Sequence, residues 1–131
     1  MSTALTINTT YDGVRRAVIQ ASARAVDNSA PDDLTLATLV DISALDPAPE
    51  SVRVEKISGG VGYGVVELYW AALPPVRFAV LSGNSLMFDY TKTGPLRMPP
   101  DGTGNILVST VGFAPTSTFM IEVSLIKRVV V

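Results

Sequence analysis

Carboxylates are the side chains of this chain that could carry acid-base or metal chemistry, because its 131 residues include no histidine and no cysteine. Two carboxylates that flank a sugar can hydrolyse a glycosidic bond. Glu67 and Glu122, however, lie in the middle of predicted strands, on faces expected to point to solvent. Asp41 and Asp46 lie in predicted loops, without the ligand spacing of an EF-hand calcium site. Solvated charges therefore explain these residues better than catalysis or metal binding does.

The glycine-rich run at residues 59–64, G-G-V-G-Y-G, is the second chemical candidate. It lacks the Lys-Ser/Thr pair of a phosphate-binding P-loop, and no helical pattern follows it. We interpret it as a hairpin tip or a bulge. A serine or threonine nucleophile would need a lysine base or a terminal amine, since histidine and cysteine are absent. The sequence therefore predicts a protein that is not an enzyme and has no cofactor or metal.

Four aromatic side chains, Tyr63, Tyr69, Tyr90 and Phe113, could line a sugar-binding groove, because flat rings stack on pyranose faces. Such residues are more often part of a core or of an interface. A carbohydrate-binding module remains an alternative if the tyrosines share one exposed platform.

Strands are the elements that must position these residues. In the segment Val65–Trp70, alternate residues fall on opposite faces, and the face with Val66, Leu68 and Trp70 is expected to be buried. Residues 51–82 are predicted to form a meander of three consecutive strands, and residues 105–127 the clearest hairpin of the chain. Together with the remaining alternating segments, this predicts an all-β fold. We expect an antiparallel β-sandwich, jelly-roll-like, with about eight or nine short strands, or a closed barrel.

Three segments are open to more than one interpretation. Residues 14–26 are rich in alanine and arginine, so they could start a helix with Asp12 as its N-cap or form an alternating strand. Residues 91–104 read as a long loop, a type that usually makes contacts or carries function. Residues 1–11 are expected as an extended N-terminal arm, and residues 12–131 as a single β-sandwich domain.

The composition points to contact with partners. Charged residues make up 17% of the chain and apolar residues 47%, whereas about 25% charged residues is usual. The net charge is −2, and basic residues cluster only in the pairs Arg15-Arg16 and Lys127-Arg128. We therefore expect no nucleic-acid partner. No apolar run is long enough for a membrane span, so we expect no membrane association either.

Apolar groups that a single domain cannot easily bury are the candidate contacts with other chains. They lie in the N-terminal arm, in the loop at residues 91–104, near the last turn and at the C-terminus. The candidate interface residues are Leu5, Ile7, Tyr11, Leu96, Arg97, Met98, Phe113, Val129, Val130 and Val131.

Short motifs across residues 11–127 occur in an order that resembles small virion-associated proteins of tailed bacteriophages. The motifs are Leu68-Tyr69-Trp70-Ala71-Ala72, Leu81-Ser82-Gly83, Phe88-Asp89-Tyr90, Gly94-Pro95-Leu96, Gly102-Thr103-Gly104-Asn105-Ile106, Ser109-Thr110-Val111-Gly112 and Phe119-Met120-Ile121-Glu122-Val123. The chain departs from the family pattern at Ala71 and Asn105, where relatives often have aspartate. In the family, the segment that matches Arg15–Val26 is usually richer in valine and looks like a strand, so the resemblance favours a strand there.

The resemblance implies a structural role in a virion. The expected function is that of a capsid decoration or cement protein, which stabilises contacts between capsid subunits on the virion surface after assembly in the host cytoplasm. Its expected partners are the major capsid protein or other virion proteins, and a homo-oligomer, with a trimer favoured. A neck or tail component and a carbohydrate-binding β-sandwich remain the alternatives.

Overall fold

The computed structural model of the protein describes residues 3–25, 35–62, 64–83, 86–100, 102–112 and 118–128. These residues form ten strands and one short 3-10 helix, Ile42–Ala44. The strands are β1 Thr3–Asp12, β2 Arg16–Ala25, β3 Ala37–Val40, β4 Ser51–Val61, β5 Val65–Trp70, β6 Val76–Leu81, β7 Leu86–Asp89, β8 Leu96–Arg97, β9 Ile106–Val111 and β10 Thr118–Arg128. The predicted all-β class is confirmed, although the strands number ten, and β1, β2, β4 and β10 are ten or eleven residues long.

Two antiparallel sheets pack face to face. The large sheet has the order β1-β2-β10-β4-β7, with β8 also paired to β4, and the small sheet has the order β3-β9-β5-β6. From β2 to β5 the chain changes sheet at every connection, and it does so again between β6 and β7 and from β8 to β10. Two four-stranded sheets connected in this way are a jelly roll, to which β1 and β8 are added. The predicted jelly-roll-like sandwich is therefore confirmed.

The core lies between the sheets and is built from alternate residues of the strands. Val66, Leu68 and Trp70 of β5 are buried, as the alternation predicts. The centroids of the Trp70 and Phe78 rings are 4.8 Å apart. In β10 the same alternation buries Phe119, Ile121, Val123 and Leu125.

Residues 14–25, the described part of this segment, contain a strand and no helix. In β2, Ala17, Ile19, Ala21 and Ala23 all point into the core. β2 is hydrogen-bonded to β1 on one side and to β10 on the other. The free energy of burying this face between two neighbouring strands outweighs the helical preference of alanine.

Two predicted strand pairings are wrong. β4 and β5 were expected to be neighbours in a meander, and β9 and β10 were expected to form a hairpin. In the structure, β4 and β10 pair with each other in the large sheet, while β5 and β9 pair in the small sheet. A glycine-rich turn can close a hairpin or carry the chain across to the facing sheet, so the turn signal alone does not identify the partner strand.

The glycine-rich run begins inside a strand and does not join two paired strands, so its interpretation as a hairpin tip is wrong. Gly59 and Gly60 belong to β4, and Gly59 has a φ of +138°. A Cβ atom at Gly59 would collide with the backbone carbonyl oxygen of Met120 in β10. Glycine is needed there because the two strands approach closely and because other residues rarely adopt this φ.

The loop at residues 91–104 also differs from the prediction. The loop contains β8, which pairs with Arg53 and Val54 of β4. The 3-10 helix follows β3. Asp41 caps this helix, since its Oδ1 accepts hydrogen bonds from the backbone N–H of Ser43 at 3.1 Å and from the Ser43 hydroxyl at 2.6 Å.

Candidate protein–protein interface

The N-terminal segment expected as an arm is an edge strand of the large sheet. β1 pairs with β2 from Thr3 to Asp12, with one register shift between Thr9 and Tyr11. No strand in the described ranges pairs with the other side of β1. Roughly half of the backbone N–H and C=O groups of such a strand point away from its single neighbour. β1 therefore presents a row of hydrogen-bonding groups that a further strand can use.

The side chains of β1 do little to protect this edge. Leu5 packs against the core, whereas Ile7 is 42% and Tyr11 58% exposed. Between Thr3 and Tyr11 there is no charged residue and no proline. Charged residues and prolines are the usual means by which proteins prevent edge strands from pairing with other chains.

The other sheet edges are shorter, and three of them carry a charged residue. β7 and β8 have four and two residues and include Asp89 and Arg97. β6 carries Arg77 and follows directly after Pro74 and Pro75. β3, the fourth of these edges, has four residues and no charge. β1 is therefore the longest edge strand of the described residues.

A small apolar cleft opens beside β1, where the edges of the two sheets face each other. It has a volume of about 170 Å³ and is lined by Ile7 and Thr9 of β1, Ile19 of β2, and residues 38–41, 44 and 45. The buried side chains of Ile19 and Leu45 form part of its lining. A strand added to β1 would place alternate side chains over this cleft.

A buried ion pair holds the end of β1. The Lys127 side chain is completely buried, and its Nζ donates hydrogen bonds to Asp12 Oδ1 and, at 3.1 Å, to the carbonyl oxygen of Pro47. Asp12 Oδ2 accepts a further hydrogen bond from the backbone N–H of Asp46 at 2.8 Å. Burial alone would raise the pKa of Asp12, but the hydrogen bonds from Lys127 and Asp46 and the Lys127 charge outweigh it and lower this pKa. Sequence reasoning missed this pair because its members are 115 residues apart.

The other candidate contact residues are not gathered at this edge. Leu96 and Met98 pack against the core, and only Arg97 of this group is exposed. β8 is separated from β1 by three strands, or about 19 Å at the usual spacing. Phe113 and Val129, Val130 and Val131 lie outside the described residues.

The two glutamates considered for glycoside hydrolysis lie on different sheets. Glu67 is in the small sheet, where its carboxylate accepts 2.9 Å hydrogen bonds from the Tyr69 hydroxyl and from Arg77. Glu122 is in β10 of the large sheet. Because Glu67 and Glu122 lie on opposite outer faces of the sandwich, their carboxylates cannot act on the same glycosidic bond.

Ser124 and Lys127 have the Ser-x-x-Lys spacing of some serine nucleophiles. In a strand, residues three positions apart point to opposite faces. Lys127 is buried against Asp12, while Ser124 is on the half-buried outer face of β10. The structure therefore separates the hydroxyl from the amine.

The tyrosines do not share a platform within the described part of the chain. Tyr69 is on the small sheet, whereas Tyr90 follows β7 of the large sheet and packs against the core. Burial raises the pKa of the Tyr90 hydroxyl. Tyr63 lies outside the described residues, as does Phe113.

The two positions that depart from the phage-protein pattern are neighbours in the fold. The backbone N–H of Ala71 donates to the carbonyl oxygen of Asn105 at 3.0 Å. The side-chain oxygen of Asn105 accepts a hydrogen bond from the N–H of Ile42, also at 3.0 Å. Asn105 therefore joins the start of β9 to the 3-10 helix.

The described part of the chain contains no metal site and no membrane-spanning helix. No three or more acidic, histidine or cysteine residues of that part converge on one point. None of its helices is both long and apolar enough to cross a bilayer.

The sequence and the fold were compared with known proteins in three ways. No protein-family model matches the chain, and neither a curated protein nor a solved structure shows significant similarity to it.

Proposed function

We propose that this protein is a bacteriophage virion structural protein that acts as a capsid decoration or cement protein. It attaches to the major capsid protein, or to another virion protein, through strand addition at β1. In this proposal the protein forms a homo-oligomer, with a trimer favoured, and lies on the capsid surface.

The observation that carries the proposal is the open edge of β1. Its ten residues offer backbone hydrogen bonds, and the stretch from Thr3 to Tyr11 has no charge that would repel an added strand. The cleft below Ile7 offers a place for apolar side chains of that strand. Backbone pairing combined with small apolar pockets is a common way to bind an extended segment of another protein.

The resemblance to virion-associated proteins supports a partner within a phage particle, and the jelly roll is a fold that viral capsid domains often use. A stable contact needs about 1,200–2,000 Å² of buried surface in total. The edge of one ten-residue strand cannot supply this area alone, which favours further contacts through oligomer formation. A neck or tail component would use the same edge and differs in its location within the particle.

Point substitutions test the role of the β1 edge better than deletion of the N-terminal residues does. Deletion would remove β1 from the sheet and expose β2, because the two strands pair along their length. Ile7→Lys places a charge on the open edge, at a side chain that is already 42% exposed. Met87→Lys is the matched control, because Met87 is 63% exposed on β7 at the far edge of the same sheet.

Both variants should fold, as judged by circular dichroism. Ile7→Lys should lower the occupancy of the protein on purified phage particles at least tenfold, whereas Met87→Lys should leave it unchanged. Quantitative mass spectrometry of particles and of separated heads and tails measures both the occupancy and the location. Unchanged occupancy of Ile7→Lys would refute attachment through β1. Absence of the wild-type protein from particles would refute the virion role.

A further inference from the structure

Three arginines converge on one depression at an end of the large sheet. The depression has a volume of about 590 Å³ and is lined by residues 14–15, 51–53 and 126–128. Strand pairing brings these segments together, because Ile126 is opposite both Arg16 and Arg53. The backbone N–H of Lys127 also donates to the carbonyl oxygen of Arg15, at 2.6 Å. The basic doublets seen in the sequence are therefore adjacent in the fold, together with Arg53.

Among the described residues, no carboxylate forms an ion pair with these arginines. Arg15, Arg53 and Arg128 are exposed, and none forms an ion pair within the described residues. The two other nearby cations do form ion pairs. A guanidinium nitrogen of Arg16 lies 3.2 Å from a carboxylate oxygen of Glu55, and Lys127 is paired with Asp12. Three uncompensated guanidinium groups around one depression are unexpected in a chain whose net charge is −2.

The depression also has apolar walls. Val14 is 68% exposed, Val52 is buried, and Ile126 is half-buried between the arginines. An apolar surface surrounded by arginine is typical of protein–protein contacts, in which arginine is enriched and lysine is depleted. The only lysine of this lining is the buried Lys127.

We propose that the pocket formed by Arg15, Arg53 and Arg128 binds an acidic segment of a partner protein, with glutamate or aspartate side chains on the guanidinium groups. The planar guanidinium group can donate two parallel hydrogen bonds to one carboxylate. The apolar walls favour a protein segment over a nucleic acid, since Val14 and Ile126 can bury apolar side chains but offer nothing to phosphates. This site is separate from the β1 edge and does not depend on the proposed virion role.

Fluorescence anisotropy with the full-length protein tests the proposal. The probe is a fluorescein-labelled ten-residue peptide of alternating glutamate and leucine. A second peptide carries glutamine in place of each glutamate, and a labelled ten-nucleotide single-stranded DNA tests the nucleic-acid alternative. The protein variants are the pair Arg53→Gln with Arg128→Gln and, as a matched control, Arg24→Gln, which removes an exposed arginine at the other end of β2.

The glutamate peptide should bind, and raising the salt concentration from about 50 to 500 mM should weaken the binding. The double variant should weaken it at least tenfold, and Arg24→Gln should change it less than twofold. The glutamine peptide should bind at least tenfold more weakly than the glutamate peptide. No binding of the glutamate peptide, equal binding by the double variant, or tighter binding of the DNA would overturn the proposal. All of these measurements use the purified protein in solution. A negative result would therefore not affect the test of the β1 edge, which measures occupancy on phage particles.

Discussion

Two ion pairs of this protein have the same chemistry in different surroundings. The pair of Lys127 and Asp12 connects β10 to the end of β1, with side chains that are 0% and 23% exposed. The pair of Arg77 and Glu67 connects β6 to β5 on the outer face of the small sheet, with side chains that are 56% and 16% exposed. Water can replace either partner in the outer pair, whereas it cannot reach Lys127. The difference teaches that burial, more than the type of charge, decides how much an ion pair matters for stability.

The largest effect is expected for Asp12→Asn, which breaks the buried pair from one side. The Lys127 ammonium would remain buried with the Pro47 carbonyl oxygen and an uncharged amide as its neighbours. Leaving a buried charge without its partner costs about 3–5 kcal/mol of unfolding free energy. Equilibrium unfolding in urea measures this loss.

The matched control for that variant adds Lys127→Met, which removes the buried charge and keeps a side chain of similar length. The double variant should recover at least half of the lost stability, because an apolar side chain needs no partner there. A loss below about 1 kcal/mol for Asp12→Asn alone would show that the burial of Lys127 is unimportant.

Acid should weaken the buried pair as well, to a smaller extent. The pKa of Asp12 lies below its usual value of 3.8 in the folded protein, so folding favours the ionised carboxylate. Its contribution is complete above the unfolded pKa and is lost as the pH falls through the folded pKa. Unfolding free energies of the wild type and of Asp12→Asn should therefore converge between about pH 5 and pH 2. Parallel pH profiles would contradict this assignment. Hydrogen bonds from the Thr91 hydroxyl and backbone N–H also lower the pKa of Asp89. Because Asp89 is present in both proteins, its contribution cancels in this comparison.

Breaking the outer pair should have a much smaller effect. Glu67→Gln removes the charge opposite Arg77 but keeps a side chain that can accept a hydrogen bond. Exposed ion pairs contribute about 0–1 kcal/mol, so urea unfolding should show a change within this range. A change as large as that of Asp12→Asn would disprove the contrast between the two pairs.

The smallest effect concerns the ionisation of Tyr69, beside the outer pair. Its hydrogen bond to Glu67 raises the pKa of Tyr69 above 10.0, and burial and the Glu67 charge act in the same direction. In Glu67→Gln the pKa should therefore fall back towards 10.0, as measured by NMR titration of the Tyr69 ring. Asp12→Asn is the control and should leave this titration unchanged. An unaltered pKa in Glu67→Gln would mean that the hydrogen bond does not form in solution.

Sequence reasoning identified strands and their buried faces more reliably than strand partners. Val66, Leu68 and Trp70 were assigned to the core from alternation alone, and they are buried. The pairing of β4 with β10 was missed because it joins segments far apart in the chain. The candidate interface residues were likewise predicted only in part. Ile7 and Tyr11 are exposed on an edge strand, whereas Leu96 and Met98 are partly buried and pack against the core.

The sequence by itself determined the all-β class, the alternation of strand faces and the low charge, because these properties depend on the order of neighbouring residues. Only the tertiary structure decided that β1 is an open edge, that Lys127 is buried against Asp12 and that Arg15, Arg53 and Arg128 surround one depression. Each of these features depends on which distant strands become neighbours. That choice is made by the packing of the two sheets around a shared core, where many weak contacts act together and no short segment carries the information.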